Sequence, residues 1–253
     1  QDRVRAQYGK VGDAYVRSRG HAGGNDLERM LALAEPQPTD TLLDIATGGG
    51  HVARVLGPHV GNVIASDLTP EMLDHAIPYL REQGVPNVER LVADAQDLPL
   101  DDASVDIVTC RIAPHHFPDP AAFVAEVARV LRPGGRFLLV DSTVPEGPAG
   151  DFFNAYETVR DPSHVRSLTV DEWSGLLERN GFRIGTAEPF RKRHEFDDWT
   201  TRMQVSGEDR DRLQAMMRDA GEEVHAVFEV AFDPDTGAVT SWIDTKTLFA
   251  ATR

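Results

Sequence analysis

The stretch LLDIATGGGHVARVL at residues 42–56 constrains the chain more than any other part of it. A short apolar run passes into three consecutive glycines and then into a helical pattern, an order that fits a buried strand turning directly into a helix. Glycine at such a turn adopts positive φ without steric penalty, so the backbone can approach a ligand closely. Many α/β folds need the same tight turn for structural reasons alone, so the loop by itself does not specify a ligand.

The surroundings of the loop extend the pattern. From about residue 41 to 142, β-branched runs alternate with helical segments, the signature of βαβ units on a parallel sheet. TLLDIA, NVIASD, VERLVADA, VDIVTCRIA and RFLLVDS are the five strand candidates. Thr69-Pro70 and Asp119-Pro120 each read as an N-cap followed by proline in the first turn, with Gly84 and Gly134-Gly135 beyond the ends of those helices. Pro78 falls inside the first of them, where a kink is expected. Asn25 to Glu28 and Thr169 to Glu172 resemble capping boxes, opening helices that run to about Ala34 and to Asn180-Gly181.

A sixth strand is expected at about 182–190 and a last one at about 241–252. The charged stretch between them, about 191–235, reads as a late helical insertion, clearest from Glu208 to Asp219. The expectation is an α/β chain with a Rossmann-like, seven-stranded, mostly parallel sheet and helices on both faces. It forms one domain over 1–253: a flap and helix at 1–40, a core at 41–142, and a lid, insertion and final strands at 143–253.

Charge and cysteine content narrow the chemistry. A formal charge of −15 opposes binding to a phosphate backbone, which disfavours nucleic acid as a partner. Cys110 is the only cysteine, which removes an internal disulfide, zinc-cysteine frameworks and multi-cysteine metalloid chemistry. There is neither a signal-peptide pattern nor a run near the ~20 apolar residues of a membrane span, so a soluble, cytoplasmic protein is expected.

Three aspartates point to the ligand. Asp67 closes the second strand about 20 residues beyond the glycines, where a carboxylate can accept both hydroxyls of a ribose. Asp94 closes the third strand, within reach of an adenine amino group. Either alone could be a helix cap or a solvated loop charge; together, at successive strand ends, they outline an adenosine pocket. Asp44 lies inside the glycine motif, which does not follow the G-x-G-x-x-G spacing of a dinucleotide site. A negative charge there suits an ammonium or sulfonium ligand better than a pyrophosphate.

DIATGGGH, ASDLTPEML, VADAQDLPL and LRPGGRFLLVD resemble, in order and spacing, the successive motifs of class I S-adenosylmethionine-dependent methyltransferases. The likeness is greatest to the branch containing the ubiquinone/menaquinone C-methyltransferases and many small-molecule methyltransferases, and it is strong over about 41–142. Ala46 departs from the glycine usual in the wider superfamily, as that branch tolerates. The resemblance implies S-adenosylmethionine as cofactor, with S-adenosylhomocysteine as product. It places Gly48 and Gly50 along the methionine part of the cofactor, with backbone contacts from Ala46 and Thr47. Asp67 would hold the ribose, Leu68 and Met72 would pack on the adenine, Asp94 and the backbone of Ala95 would bind its edge, and Arg111 would lie beside the methionine portion. It also implies that the last strand is antiparallel.

In such a fold ligands bind at the carboxyl ends of the strands, so RIAPHHFPD at 111–119 should border the reacting methyl and the small-molecule acceptor. His115 and His116 are therefore the candidate catalytic residues, as a base if the acceptor must lose a proton, or else as pocket wall. Adjacent loop residues tend to diverge, so at most one is expected to reach the acceptor. No metal is expected: neighbouring histidines lack the helical spacing that converges on an ion, Asp119 reads as a helix cap, and Asp141 as a strand-end or capping residue.

Tyr8, Tyr15, Ser18 and His21 mark an N-terminal flap or, equally, a solvent-facing amphipathic helix, and DFFNAYETVRDPSHVRSLT, with Phe152, Phe153, Tyr156 and Arg166, resembles an acceptor-side lid, although aromatic residues there are more often core than substrate wall. The alternatives to methyl transfer are a non-methylating reaction such as cyclisation on the same scaffold, a catalytically silent binding protein and, as a poorer fit, an NAD-dependent oxidoreductase.

Overall fold

The computed structural model describes residues 25–253; the expected N-terminal flap with Tyr8, Tyr15, Ser18 and His21 lies outside them. In chain order the elements are α1 (Asn25–Ala34), β1 (Thr41–Ile45), α2 (His51–Leu56), β2 (Asn62–Asp67), α3 (Pro70–Glu82), β3 (Val88–Val92), β4 (Val105–Arg111), α4 (Pro120–Val130) and β5 (Leu131–Thr143). They continue with α5 (Pro148–Arg160), α6 (Val170–Arg179), β6 (Arg183–Glu195), α7 (Phe196–Arg202), α8 (Gly207–Arg218), α9 (Glu222–Val227), β7 (Ala231–Phe232) and β8 (Val239–Thr252).

The sheet order is β3-β2-β1-β4-β5-β8-β6, with the two-residue β7 added on β8. β1 to β5 are mutually parallel; β8 runs antiparallel to both β5 and β6, as the resemblance implied. Side chains alternate across a strand, and β1 feeds both faces: Leu43 and Ile45 pack with Phe123, Val127, Trp173 and Leu177 beneath α4 and α6. Leu42 packs on the other face with Met30, Leu56, Leu73 and Leu80 from α1, α2 and α3. Burial on both faces is why the central strands read as continuous apolar runs in the sequence.

The helix ends follow their local chemistry. The Asp119 carboxylate accepts hydrogen bonds from the backbone N–H groups of Ala121 and Ala122, and Thr169 forms a complete capping box with Glu172. Thr69 sits at the N-cap of α3 in extended conformation but makes no side-chain cap bond; that helix relies on Pro70, whose missing N–H needs no partner there. Pro78 lies within α3, which continues through to Glu82.

The second half of the chain departs from the expected boundaries. β6 runs to Glu195, beyond the expected end near 190, and β8 begins at Val239. Because Thr143, the last residue of β5, pairs with Thr245, the first part of β8 and the end of β6 project past the carboxyl edge of the parallel strands. This projection is covered by α5, α7, α8 and α9 around a third apolar cluster of Phe153, Tyr156, Trp199, Leu213, Met217, Phe228 and Trp242. Tyr156 stacks on Trp199 at 5.2 Å, and Trp242 meets Trp199 edge-on at 4.4 Å. The expected helical insertion is thus a small core of its own, built over the carboxyl edge of the parallel strands. No helix among the described residues is long and apolar enough to cross a membrane.

Candidate active site

A cavity of about 410 Å³ opens at the carboxyl ends of β1, β2 and β4, between the sheet edge and the projecting β6–β8 pair. Its size falls in the ~300–1,000 Å³ range of small-molecule sites.

One half is built by the glycine turn. Ala46 at φ 52° and Gly48 at φ 51° both take left-handed conformations, so the chain coils tightly as it leaves β1. Alanine pays about 1–2 kcal/mol for that geometry, a strain located where the backbone lines the cavity. The N–H of Gly48 donates to Asp67 Oδ2 at 3.0 Å and that of Thr69 to Oδ1 at 2.9 Å, which fixes the carboxylate at the end of β2. Burial raises the pKa of Asp67, against the lowering effect of these N–H donors. Asp44 is buried, accepting from Thr47 Oγ1 at 2.6 Å and Thr109 Oγ1 at 2.7 Å, and burial pushes its pKa up to about 6. Asp94 accepts from both the backbone N–H and the side-chain amide of Gln96.

Ala46, Thr47, Gly48, Asp67, Leu68, Met72, Asp94, Ala95 and Arg111, dispersed over 66 positions of sequence, all line this one cavity. Gly50 does not, contrary to its expected place along the methionine part. It is the N-cap of α2 at φ 78°, and an added Cβ would lie 3.1 Å from the side chain of Leu80. Its smallness serves the approach of α3 to the turn. Arg111 lines the cavity but is also tied to α1, its Nε donating to Asp26 Oδ2 at 2.6 Å.

The other half centres on the histidines. Residues Pro114–His116 form a single 3₁₀ turn, and both His115 and His116 line the cavity with ring centroids 4.2 Å apart. The expectation that adjacent residues diverge fails because this turn is tight and the loop after α5 is laid against it. The N–H groups of Val165 and Arg166 both donate to the carbonyl of His115. His164, from that loop, brings a third ring 5.5 Å from His115.

The three rings have different electrostatic roles. His115 Nδ1 lies 2.6 Å from Asp141 Oδ1, and this acid is completely buried on β5. Burial lowers the pKa of His115, but the charge and hydrogen bond of Asp141 outweigh it, and the net direction is upward. His116 faces Ser163, its Nδ1 lying 3.1 Å from the Ser163 carbonyl oxygen; burial, then repulsion from His115, pushes its pKa down to about 3. His164, 2.9 Å from Asn154 Oδ1, is pushed down to about 4, again mainly by burial. The cluster thus holds one ready proton site, His115, between two rings that stay neutral.

A stability effect follows from His164. Its folded pKa lies below the unfolded value of about 6.5, so the unfolded chain binds the extra proton and stability falls as pH drops from about 6.5 towards about 4. His164→Gln is expected to remove roughly 1–3 kcal/mol of that acid-induced loss, read as a smaller difference in urea midpoint between pH 7 and pH 4.5.

Asp141 is the residue whose expected role changes most. It is neither a cap nor a loose strand end but the partner that fixes the His115 ring. Its signal was present in RFLLVDS, an acid ending the strand beside the one that leads to the histidines. The aromatic residues of the lid stretch are core, the reading favoured for them, and the cavity takes other residues of that stretch. Phe153 and Tyr156 belong to the third core cluster, with Phe152 packed against it, and Arg166 pairs with Glu172 at the surface. From the same stretch Glu157, Arg160, Asp161, His164 and Ser167 line the cavity. Lys192, His194, Trp199, Asp244 and Lys246 line it too, and none was foreseen: Lys192, His194 and Trp199 fell in the expected insertion, and Asp244 and Lys246 were read only as sheet. Among the described residues, no group of three or more His, Cys, Asp or Glu side chains is placed to hold a metal ion.

The glycine turn and two strand-end carboxylates that the sequence motifs marked face one cavity with His115, and the structure adds Asp141 as the acid that holds that histidine. A methyltransferase domain model matches residues 43–139. The uncharacterized methyltransferase YcgJ of Bacillus subtilis is 36% identical over 222 residues, covering 87% of this chain and 88% of that protein. This chain belongs to the methyltransferase family. The crystal structure of a candidate methyltransferase from Bacillus halodurans superposes with a TM-score of 0.87 at 38% identity, over 90% of this chain and 99% of the other. A demethylmenaquinone methyltransferase of Clavibacter sepedonicus is 32% identical over 149 residues, which is 57% of this chain and 60% of that one. Membership and fold imply S-adenosylmethionine as the methyl donor of this methyltransferase.

Proposed function

We propose that this methyltransferase moves a methyl group from S-adenosylmethionine to a small-molecule acceptor bound in the histidine-lined half of the cavity, with His115 as the base. The observation that carries the reading is the His115–Asp141 pair facing the same cavity as Asp67 and the glycine turn.

The donor set fits the cofactor. Asp67 presents a carboxylate, already anchored by two backbone N–H groups, to ribose hydroxyls. Asp94 and the backbone at Ala95 supply an acceptor and a donor for an adenine edge, with Leu68 and Met72 as its apolar walls. The left-handed turn at Ala46 and Gly48 keeps side chains from crowding the methionine portion, and Asp44 places negative charge near its ammonium. The cofactor supplies an electrophilic methyl group on a sulfonium.

The chain's remaining task is at the acceptor. Asp141 holds His115 by Nδ1, which leaves Nε2 as the atom to take a proton from an acceptor hydroxyl, amine or acidic carbon. Asp141 also stabilises the imidazolium that results, the direction of the raised pKa. His116 and His164, held neutral, shape the wall without competing for the proton. Orientation of the two reactants in one enclosure supplies much of the rate; well-aligned intramolecular reactions gain ~7–11 kcal/mol from it.

The test is formation of S-adenosylhomocysteine together with an acceptor heavier by one methylene unit. Consumption of acceptor without that mass gain, or binding of cofactor with no turnover on a broad acceptor panel, would replace this reading with a non-methylating or silent one.

A further inference from the structure

The far end of the cavity, opposite the glycine turn, is formed by the parts of β6 and β8 that project past the sheet edge. Alternation along a strand puts Lys192 and His194 of β6 on one face, and Asp244 and Lys246 of β8 on the facing positions of the same surface. In the register Lys192 pairs with Asp244, and Ser142 of β5 pairs with Lys246. All five residues line the cavity, and Trp199 with Met203 supply apolar wall beside them.

Contacts pair most of the charges at this end, but not that of Lys192. Asp244 is buried and paired through one oxygen: its Oδ2 lies 2.6 Å from Lys246 Nζ and 3.0 Å from His194 Nε2, while its Oδ1 has no hydrogen-bond partner. Arg160 pairs with Glu157 at 3.1 Å and lies over the Trp199 ring. Asp161 is taken up by Ser163, whose hydroxyl and N–H both donate to it. Lys192, half-buried in the cavity wall, has no ion-paired carboxylate within 4 Å among the described residues. Burial, with Lys246 nearby as a second positive charge, lowers its pKa to about 8, the response of an ammonium short of a counter-ion. In a chain of net charge −15, an unmatched cation enclosed in a ligand cavity is not explained by solubility or by general surface charge.

We propose that Lys192, with Lys246 behind it, binds an anionic oxygen group of the acceptor, a carboxylate or phosphate, and so fixes which end of the acceptor faces His115. The inference rests on the methyl-transfer reading above for the word acceptor, and on the cavity alone for the anion. Such a group completes the pairing that Asp244 leaves unfinished, and it accepts hydrogen bonds from an ammonium that otherwise stays partly desolvated. The neutral, apolar surface of Trp199 and Met203 then receives the rest of the molecule. Acceptors of this class are small acids with a separate nucleophilic atom, and neutral quinone-like molecules are disfavoured.

The experiment uses protein saturated with S-adenosylhomocysteine and a panel of small aryl and alkyl carboxylates, each matched with its neutral amide, plus inorganic phosphate. Binding is read by calorimetry and by thermal shift. The expected result is that at least one carboxylate, or phosphate, binds, with the carboxylates about tenfold or more tighter than their amides, the worth of a charge-assisted hydrogen bond. Lys192→Met should abolish that preference and Lys192→Arg should keep most of it, while affinity for S-adenosylhomocysteine is the same in all three proteins. Phosphate binding without carboxylate binding would assign the site to phosphate esters. No acid binding better than its amide, with phosphate silent, would overturn the proposal, as would an unchanged preference in Lys192→Met. Failure of S-adenosylhomocysteine to bind folded protein would instead strike the methyl-transfer reading.

Discussion

Asp67→Ala is expected to weaken S-adenosylhomocysteine binding by about 3–6 kcal/mol, the worth of two hydrogen bonds to a charged group. The loss is large for two reasons. The carboxylate is the only side chain at the end of β2 that the structure anchors through two backbone donors, so no neighbour can take its place. Its removal also releases the N–H of Gly48 and loosens the turn whose left-handed conformation lets the backbone line the cavity. Asp67→Asn keeps one acceptor oxygen for the turn and is expected to lose less. Calorimetric titration of the three proteins checks this, and equal affinities would remove Asp67 from the cofactor site.

The second large effect is at His115. His115→Ala should lower the rate of S-adenosylhomocysteine formation by about 10²–10⁴, the usual range for general-base assistance, while leaving cofactor affinity unchanged. Asp141 is a positioning residue and should show a different signature. A base must be neutral to act, so activity falls as pH drops through the raised pKa of His115, and the acid limb of the rate profile should lie above the ordinary histidine value. Asp141→Asn removes the group that raises it and leaves burial, which lowers it, so the acid limb should move to lower pH as the rate falls. A slower enzyme with an unmoved limb would mean that Asp141 only supports the fold. His116→Ala, by contrast, alters a ring whose pKa is about 3, so it should change acceptor affinity more than the pH profile.

The half of the cavity built on the glycine turn, to which we assign the cofactor, was legible in the sequence because local patterns set it. The strand, the turn and the strand-end acids lie on short segments whose periodicity and glycines fix their geometry, so Asp67 and Asp94 could be placed without tertiary knowledge. Gly50 lies outside the cavity lining because a glycine can serve ligand approach or helix packing, and only the position of Leu80, thirty residues on, decides between them.

The acceptor half was not legible for a physical reason. It is assembled from segments distant in sequence: Asp141 from β5, His164 from the loop after α5, Lys192 from a strand that runs beyond its expected end, and Asp244 from the last strand. RKRHE at 191–195 reads as a charged surface in isolation. It becomes a cavity wall because β8 continues past β5 and gives it a partner strand. The aromatic residues of the lid drew attention to the right stretch; burial claimed them for the third core and left the polar residues beside them facing the cavity.

The most direct test of the central claim is a crystal structure with S-adenosylhomocysteine bound. The account predicts the ribose on Asp67, the adenine between Met72 and Asp94, and the sulfur directed towards His115 with open space between them. A ligand bound elsewhere on the chain, or its sulfur turned away from the His115–Asp141 pair, would contradict it.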